Sequence, residues 1–132
     1  MRLKSFNLSL GSQIFKACSD ESRLRILHLI FQNEEMCISD LEKILEFTQT
    51  KTSRHLTYLK NSGILTFRRH NHWVFYAIKD EVYEILKQIF QFLRKDQLLQ
   101  KDQQLYQTLY SNRELAANKV QMGVWPGPRI MT

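Results

Sequence analysis

A chain of 132 residues allows about one domain and excludes a second independent core. A hydrophobic content of 43%, with eight Phe, five Tyr and two Trp, excludes a wholly disordered chain. The net charge of +6 and pI near 9.5 favour a polyanionic partner. Most of the excess is concentrated: Lys51, Arg54, Lys60, Arg68 and Arg69 fall between Thr48 and His72, where no Asp or Glu occurs. Segregation of this kind fits a nucleic-acid surface, and it also fits an ordinary solvated face. Cys18 and Cys37 are too few for a disulfide framework. Residues 1–15 carry Asn7, Ser9, Ser12 and Gln13 where a secretory signal needs an apolar run, and no run reaches membrane-spanning length. A reducing, cytoplasmic location is the expectation.

In chain order, Asp20 is an expected N-cap for a central helix. Leu24, Ile26, Leu27, Leu29, Ile30 and Phe31 make that helix apolar on more than one side. Ser39 and Glu42 have capping-box spacing, so Ser39 is expected to cap a short second helix with Leu41, Ile44 and Leu45 inward. Thr48 is placed to cap a third helix over residues 49–61. There Thr52, Leu56 and Leu59 share one face, while Thr50, Arg54, Thr57 and Asn61 lie opposite, with no acid among them. Gly63 is a helix stop. Residues 65–69 alternate with period two, His70, Asn71 and His72 make a turn, and residues 73–78 complete a hairpin. A last long helix is expected from Asp80, with Val82, Leu86, Ile89 and Leu93 on one stripe widened by Ile85, Phe90 and Phe92. So broad an apolar surface fits the same helix of a second copy, and Leu98, Leu105, Tyr106, Leu109 and Tyr110 extend it.

These elements describe a mainly α fold with a small β-hairpin: a winged helix-turn-helix that dimerises through its terminal helices. The domain is expected over residues 1–112, with the DNA-reading part at about 38–78 and a poorly ordered tail at 113–132, which holds Pro126 and Pro128. Two helices joined by a short turn, the second with a cationic and amide-bearing face, suit the major groove. Hairpin cations suit the flanking phosphates.

The residues also resemble the ArsR/SmtB family of repressors. Ala17-Cys-Ser-Asp20-Glu-Ser-Arg23-Leu-Arg25-Ile26-Leu27 is similar to that family's acidic cap and R-L-x-I-L helix. Glu35-Met-Cys37-Ile-Ser-Asp40-Leu41 resembles its E-L-C-V-C-D-L segment, and Thr48-Gln49-Thr-Lys-Thr-Ser53-Arg54-His55-Leu56 its S-Q-x-x-V-S-R-H-L recognition helix. Gly63-Ile-Leu65, Arg68-Arg69 and Trp73-Val-Phe-Tyr76 resemble its wing. The similarity spans roughly residues 14–90 and rests on the order and spacing of the pieces together. It implies a homodimer on a short inverted repeat of double-stranded DNA, released by an effector. Carried over by position, Gln49, Thr50, Lys51, Ser53 and Arg54 would contact DNA from the recognition helix, and Arg68, Arg69 and His72 from the wing. His55 borders the buried stripe and reads equally as a packed histidine or a phosphate contact.

The departures concern the sensor. Metal-sensing members use two cysteines two residues apart, because paired soft thiolates clamp soft ions. Here Cys37 is followed by Ser39, so that clamp is incomplete. Cys37 and Cys18 remain the candidate sensor thiols, as a pair if their helices meet, against the reading that both are small buried hydrophobes. The family's zinc site on the last helix has Asp80 but no histidine after His72. No metal or other cofactor is therefore expected. Glu46 stands where many relatives have glycine, which predicts strain or a shifted turn, and Asn71 at the wing tip tolerates a left-handed backbone. A winged-helix module binding protein, with incidental DNA affinity, is the alternative. An enzyme built on a thiol and a histidine lacks an orienting third group and an oxyanion hole.

Overall fold

The computed structural model describes residues 7–111, so the expectation for the tail at 113–132 lies outside the described residues. Six helices and three short strands follow in the order α1 Leu8–Ala17, α2 Glu21–Asn33, β1 Met36–Cys37, α3 Ile38–Leu45, α4 Gln49–Asn61, β2 Leu65–His70, β3 Trp73–Ile78, α5 Asp80–Phe92 and α6 Gln97–Ser111. Side-chain caps set several starts. Asn7 accepts from Leu10 N, Asp20 from Arg23 N, and Thr48 from Lys51 N, each satisfying an amide that the first turn leaves unpaired.

Helix α2 is the centre of the molecule. Ile26, Leu27, Leu29 and Ile30 have no solvent exposure, and they join Ile14 and Ala17 of α1, Leu41 of α3, Leu56 and Leu59 of α4, and Val82 and Leu86 of α5 in one core. A helix apolar on more than one side is stable only when neighbours cover those sides. Arg23 ties α2 to two of these neighbours. Its Nε donates to Ala17 O at 2.8 Å, and its guanidinium lies 4.1 Å from the Tyr58 ring centroid on α4.

The strands form one antiparallel sheet in the order β1-β3-β2, with Met36 opposite Tyr76, Phe67 opposite Tyr76 on the other edge, and Arg68 opposite Phe75. The short β1 accounts for one correction. Ser39 does not cap α3: Cys37 occupies the N-cap position without a side-chain cap bond, and the Ser39 Oγ instead lies 3.2 Å from the Cys37 Sγ. Pairing of Met36 and Cys37 with β3 holds the backbone extended up to Cys37, so the helix begins there whatever the local capping signal.

A second correction concerns the C-terminal half. The expected single long helix ends at Phe92, and Asp96 Oδ1 accepts from Leu99 N at 2.9 Å to start α6. Helix α6 then returns along α2 and α3. Arg25 donates twice to Asp102, at 2.9 Å for both bonds, and the Asn33 and Gln103 side-chain amides exchange bonds of 2.8 and 2.9 Å. Tyr106 and Leu109, expected to extend a contact between copies, pack on this subunit's own core. Leu98, Leu105 and Tyr110 stay at the surface. Among the described residues no helix is long and apolar enough to cross a membrane.

Candidate nucleic-acid interface

Helices α3 and α4 pack together through the turn Glu46-Phe47-Thr48. Glu46 adopts a left-handed conformation, φ 58° and ψ 38°, the strain expected of a non-glycine residue at this corner. The turn fixes which face of α4 points outward. Thr52, Leu56 and Leu59 are buried, and the Thr52 hydroxyl donates to Thr48 O at 2.8 Å, so no polar group on the inner face is left unsatisfied there. Gln49, Thr50, Ser53, Arg54, Thr57, Lys60 and Asn61 are exposed. The first turn carries no acid, so the positive end of the helix dipole is uncompensated and faces solvent. Lys51 lies flatter than its neighbours, half-buried with its ammonium 3.9 Å from the Phe47 ring centroid.

His55 is half-buried beside this face. Burial lowers its pKa; Asp20 opposes that shift, while Arg23, Lys51 and Arg54 add to it.

The hairpin turns at Asn71, φ 57°, and places Arg69 and His72 at the surface, with the His72 ring 4.7 Å from that of Trp73. Arg68 is different. Its Nε and Nη2 donate to Glu35 at 2.7 and 2.8 Å, and Glu35 is only 3% exposed. The resemblance gives Arg68 a wing contact with DNA beside Arg69; in the structure its fork is bonded to Glu35, where it neutralises a buried carboxylate. Glu35 follows a tight turn in which Glu34 takes φ 72° and ψ −46° and the Glu35 N–H donates to Asn33 O at 2.8 Å.

The structure adds Phe67, which the sequence does not single out, and brings Lys60 to it. Phe67 is 41% exposed, and its ring has the Lys60 ammonium 5.2 Å away and the Arg69 guanidinium 5.9 Å away. The end of α4 and the wing are thus joined by an aromatic ring between two cations. Period-two alternation already put Phe67 and Arg69 on one strand face; the approach of Lys60 was the missing piece.

The thiols sit elsewhere. Cys37 is buried, and burial together with the Asp40 charge pushes its thiol up to about 12, so it stays protonated. Cys18 is half-buried, and burial also raises its pKa against the lowering field of Arg23. Asp80 is exposed at the start of α5. Among the described residues no group of three or more His, Cys, Asp or Glu is placed to hold a metal ion. The lone, protonated Cys37 and a histidine-free α5 do not fit either metal site implied by the resemblance.

The family model for the bacterial regulatory proteins of the ArsR family matches residues 20–66. An HTH-type transcriptional regulator of Methanocaldococcus jannaschii is 41% identical over 78 residues, 58% of this chain and 88% of the relative. The chain belongs to the ArsR family. The match to an arsenic resistance transcriptional regulator of Pseudomonas putida is 42% over 69 residues, 52% of this chain and 54% of that protein. The chain thus spans only about half the length of this ArsR-family relative. The homodimeric winged helix-turn-helix DNA-binding domain from Mycobacterium bovis superimposes with a TM-score of 0.60 at 25% identity, covering 69% of this chain and 83% of that one. The fold is therefore a winged helix-turn-helix.

Proposed function

We propose that this ArsR-family chain is a sequence-specific DNA-binding repressor that acts as a homodimer in the cytoplasm and catalyses no reaction. The observation that carries this reading is the outward side of α4: from Gln49 to Asn61 it is uncharged or cationic, and it runs on through Lys60 and Phe67 to Arg69. An α-helix fits the major groove, where amides, hydroxyls and guanidinium groups read base edges. In this reading Gln49, Thr50, Ser53 and Arg54 face bases, and Lys51, Lys60, Arg69 and His72 face phosphates.

A second copy is supported by exposed apolar side chains on α1 and α5. Leu8 is 89% exposed, Phe15 63% and Phe92 82%, and half-buried Ile85 and Ile89 continue the α5 stripe. A two-fold pair presents two α4 helices to an inverted repeat about one helical turn apart. The relatives named above include an arsenic regulator, but a single buried thiol is a poor clamp for arsenite, so release by a signal other than a metal is the reading favoured here.

Selection of bound fragments from random duplexes tests the proposal. The expected product is an inverted repeat whose affinity falls steeply with salt, as counterions leave each contacted phosphate. Salt-sensitive binding with no sequence enriched would overturn it in favour of a protein-binding module with incidental DNA affinity.

A further inference from the structure

An open groove with about 510 Å³ of space lies between α2, α5 and α6, away from the DNA-facing side of α4. Its size is that of a small-molecule site. The wall on one side is aromatic. Phe31 stacks on Tyr83 with centroids 5.0 Å apart and meets Phe90 at 5.4 Å, and the edge of His28 abuts Phe90 at 5.2 Å. The remaining lining is polar without being acidic: Lys87, Arg94 and five glutamine side chains, and no Asp or Glu. Tyr83 and Lys87 are one helical turn apart and share a face of α5. Arg94 is fixed at the α5–α6 corner, where its Nη1 donates to Gln91 O at 2.9 Å and its carbonyl accepts from Gln100 Nε2 at 3.0 Å.

His28 lines the same space. It is over nine-tenths buried, its Nε2 lies 3.5 Å from Gln32 Nε2, and its Nδ1, itself out of reach of solvent, has no hydrogen-bond partner. A buried polar atom left unpaired costs free energy and calls for an explanation.

We propose that this groove binds a small aromatic carboxylic acid as its anion. The ring packs against Phe31, Tyr83 and Phe90, the carboxylate is held by Lys87 and Arg94, and the glutamine amides supply further donors. On α5, Lys87 lies about 200° around the helix from Ile85, so the groove and the apolar stripe offered to a second copy are on opposite sides of one helix. Occupancy therefore bears on α5 from behind the dimer surface and changes operator affinity. This last part rests on the regulatory reading above, whereas binding itself does not.

Calorimetric titration of the full chain without DNA separates the two. Benzoate is the probe, with benzyl alcohol and inorganic phosphate as the neutral and non-aromatic controls. Saturable benzoate binding is expected, with both controls at least about tenfold weaker, and with Lys87→Met and Arg94→Gln each weakening benzoate by about tenfold. Neither side chain is buried, and an unchanged melting temperature shows that both variants fold. Benzyl alcohol or phosphate binding as well as benzoate would overturn the proposal. So would variants that bind normally, or no benzoate binding up to about 10 mM. If benzoate binds but leaves operator affinity unchanged, the site stands and only its link to regulation falls.

Discussion

Adjacent arginines in the wing have opposite fates. Arg68 neutralises a carboxylate that has almost no access to water, whereas Arg69 is exposed beside Phe67. Removing one partner of a buried pair leaves the other charge uncompensated, so Arg68→Ala is expected to cost about 3 kcal/mol of stability, at the low end because the Arg68 side chain meets solvent. Chemical denaturation measures this. Arg69→Ala should leave the midpoint unchanged and weaken binding to all duplexes alike, lowering the salt slope by about one. Equal midpoints for the two variants would mean that the Glu35 bond contributes nothing. His28 supplies a pH test at the same scale. Burial lowers its pKa below 6.5, with Asp102 and Asp96 opposing. The unfolded chain therefore takes up a proton that the folded chain refuses, so stability is full above the unfolded value and declines as pH falls through 6.5. An NMR titration should place the His28 midpoint below 6.5; a higher value contradicts the burial described for it.

At the scale of elements, what could be read from the sequence was what local chemistry decides. Thr48 as a cap, the 49–61 helix, its Thr52, Leu56 and Leu59 inner face, and the turn at Asn71 all follow from short-range patterns, and all are present; at Glu46 the resemblance leaves strain or a shifted turn open, and the backbone is left-handed. What could not be read depends on partners distant in sequence. Ser39 has the right spacing for a cap, but β1 pairing with β3 moves the helix start. Period two cannot say which arginine meets Glu35, 33 residues away. The return of α6 depends on Arg25 and Asp102, 77 residues apart, and an apolar stripe does not reveal where a helix breaks. Asp102→Ala tests that contact. Loss of the buried carboxylate should destabilise the fold by about 2–3 kcal/mol, since Arg25 can still reach water, and should speed amide exchange in α6 before α4. Uniform exchange across both helices would contradict a separate return helix held by this pair.

For the whole molecule, the reading requires two copies. Phe92 is 82% exposed on α5 and Phe15 63% on α1. Phe92→Asp puts a charge on that surface and is expected to shift the chain toward monomer in sedimentation at micromolar concentration, without loss of helix content. A wild-type chain that sediments as a monomer would leave the apolar stripe unexplained.

The recognition helix itself is tested most directly by one ratio: affinity for the selected operator over affinity for a scrambled duplex at the same salt, in wild type and Arg54→Ala. Arg54 is exposed on the outer face of α4, and a side chain that reads a base contributes about 1–3 kcal/mol of discrimination. The ratio should fall by about tenfold or more in the variant, with little change in scrambled-duplex affinity. An unchanged ratio would contradict the placement of α4 in the groove.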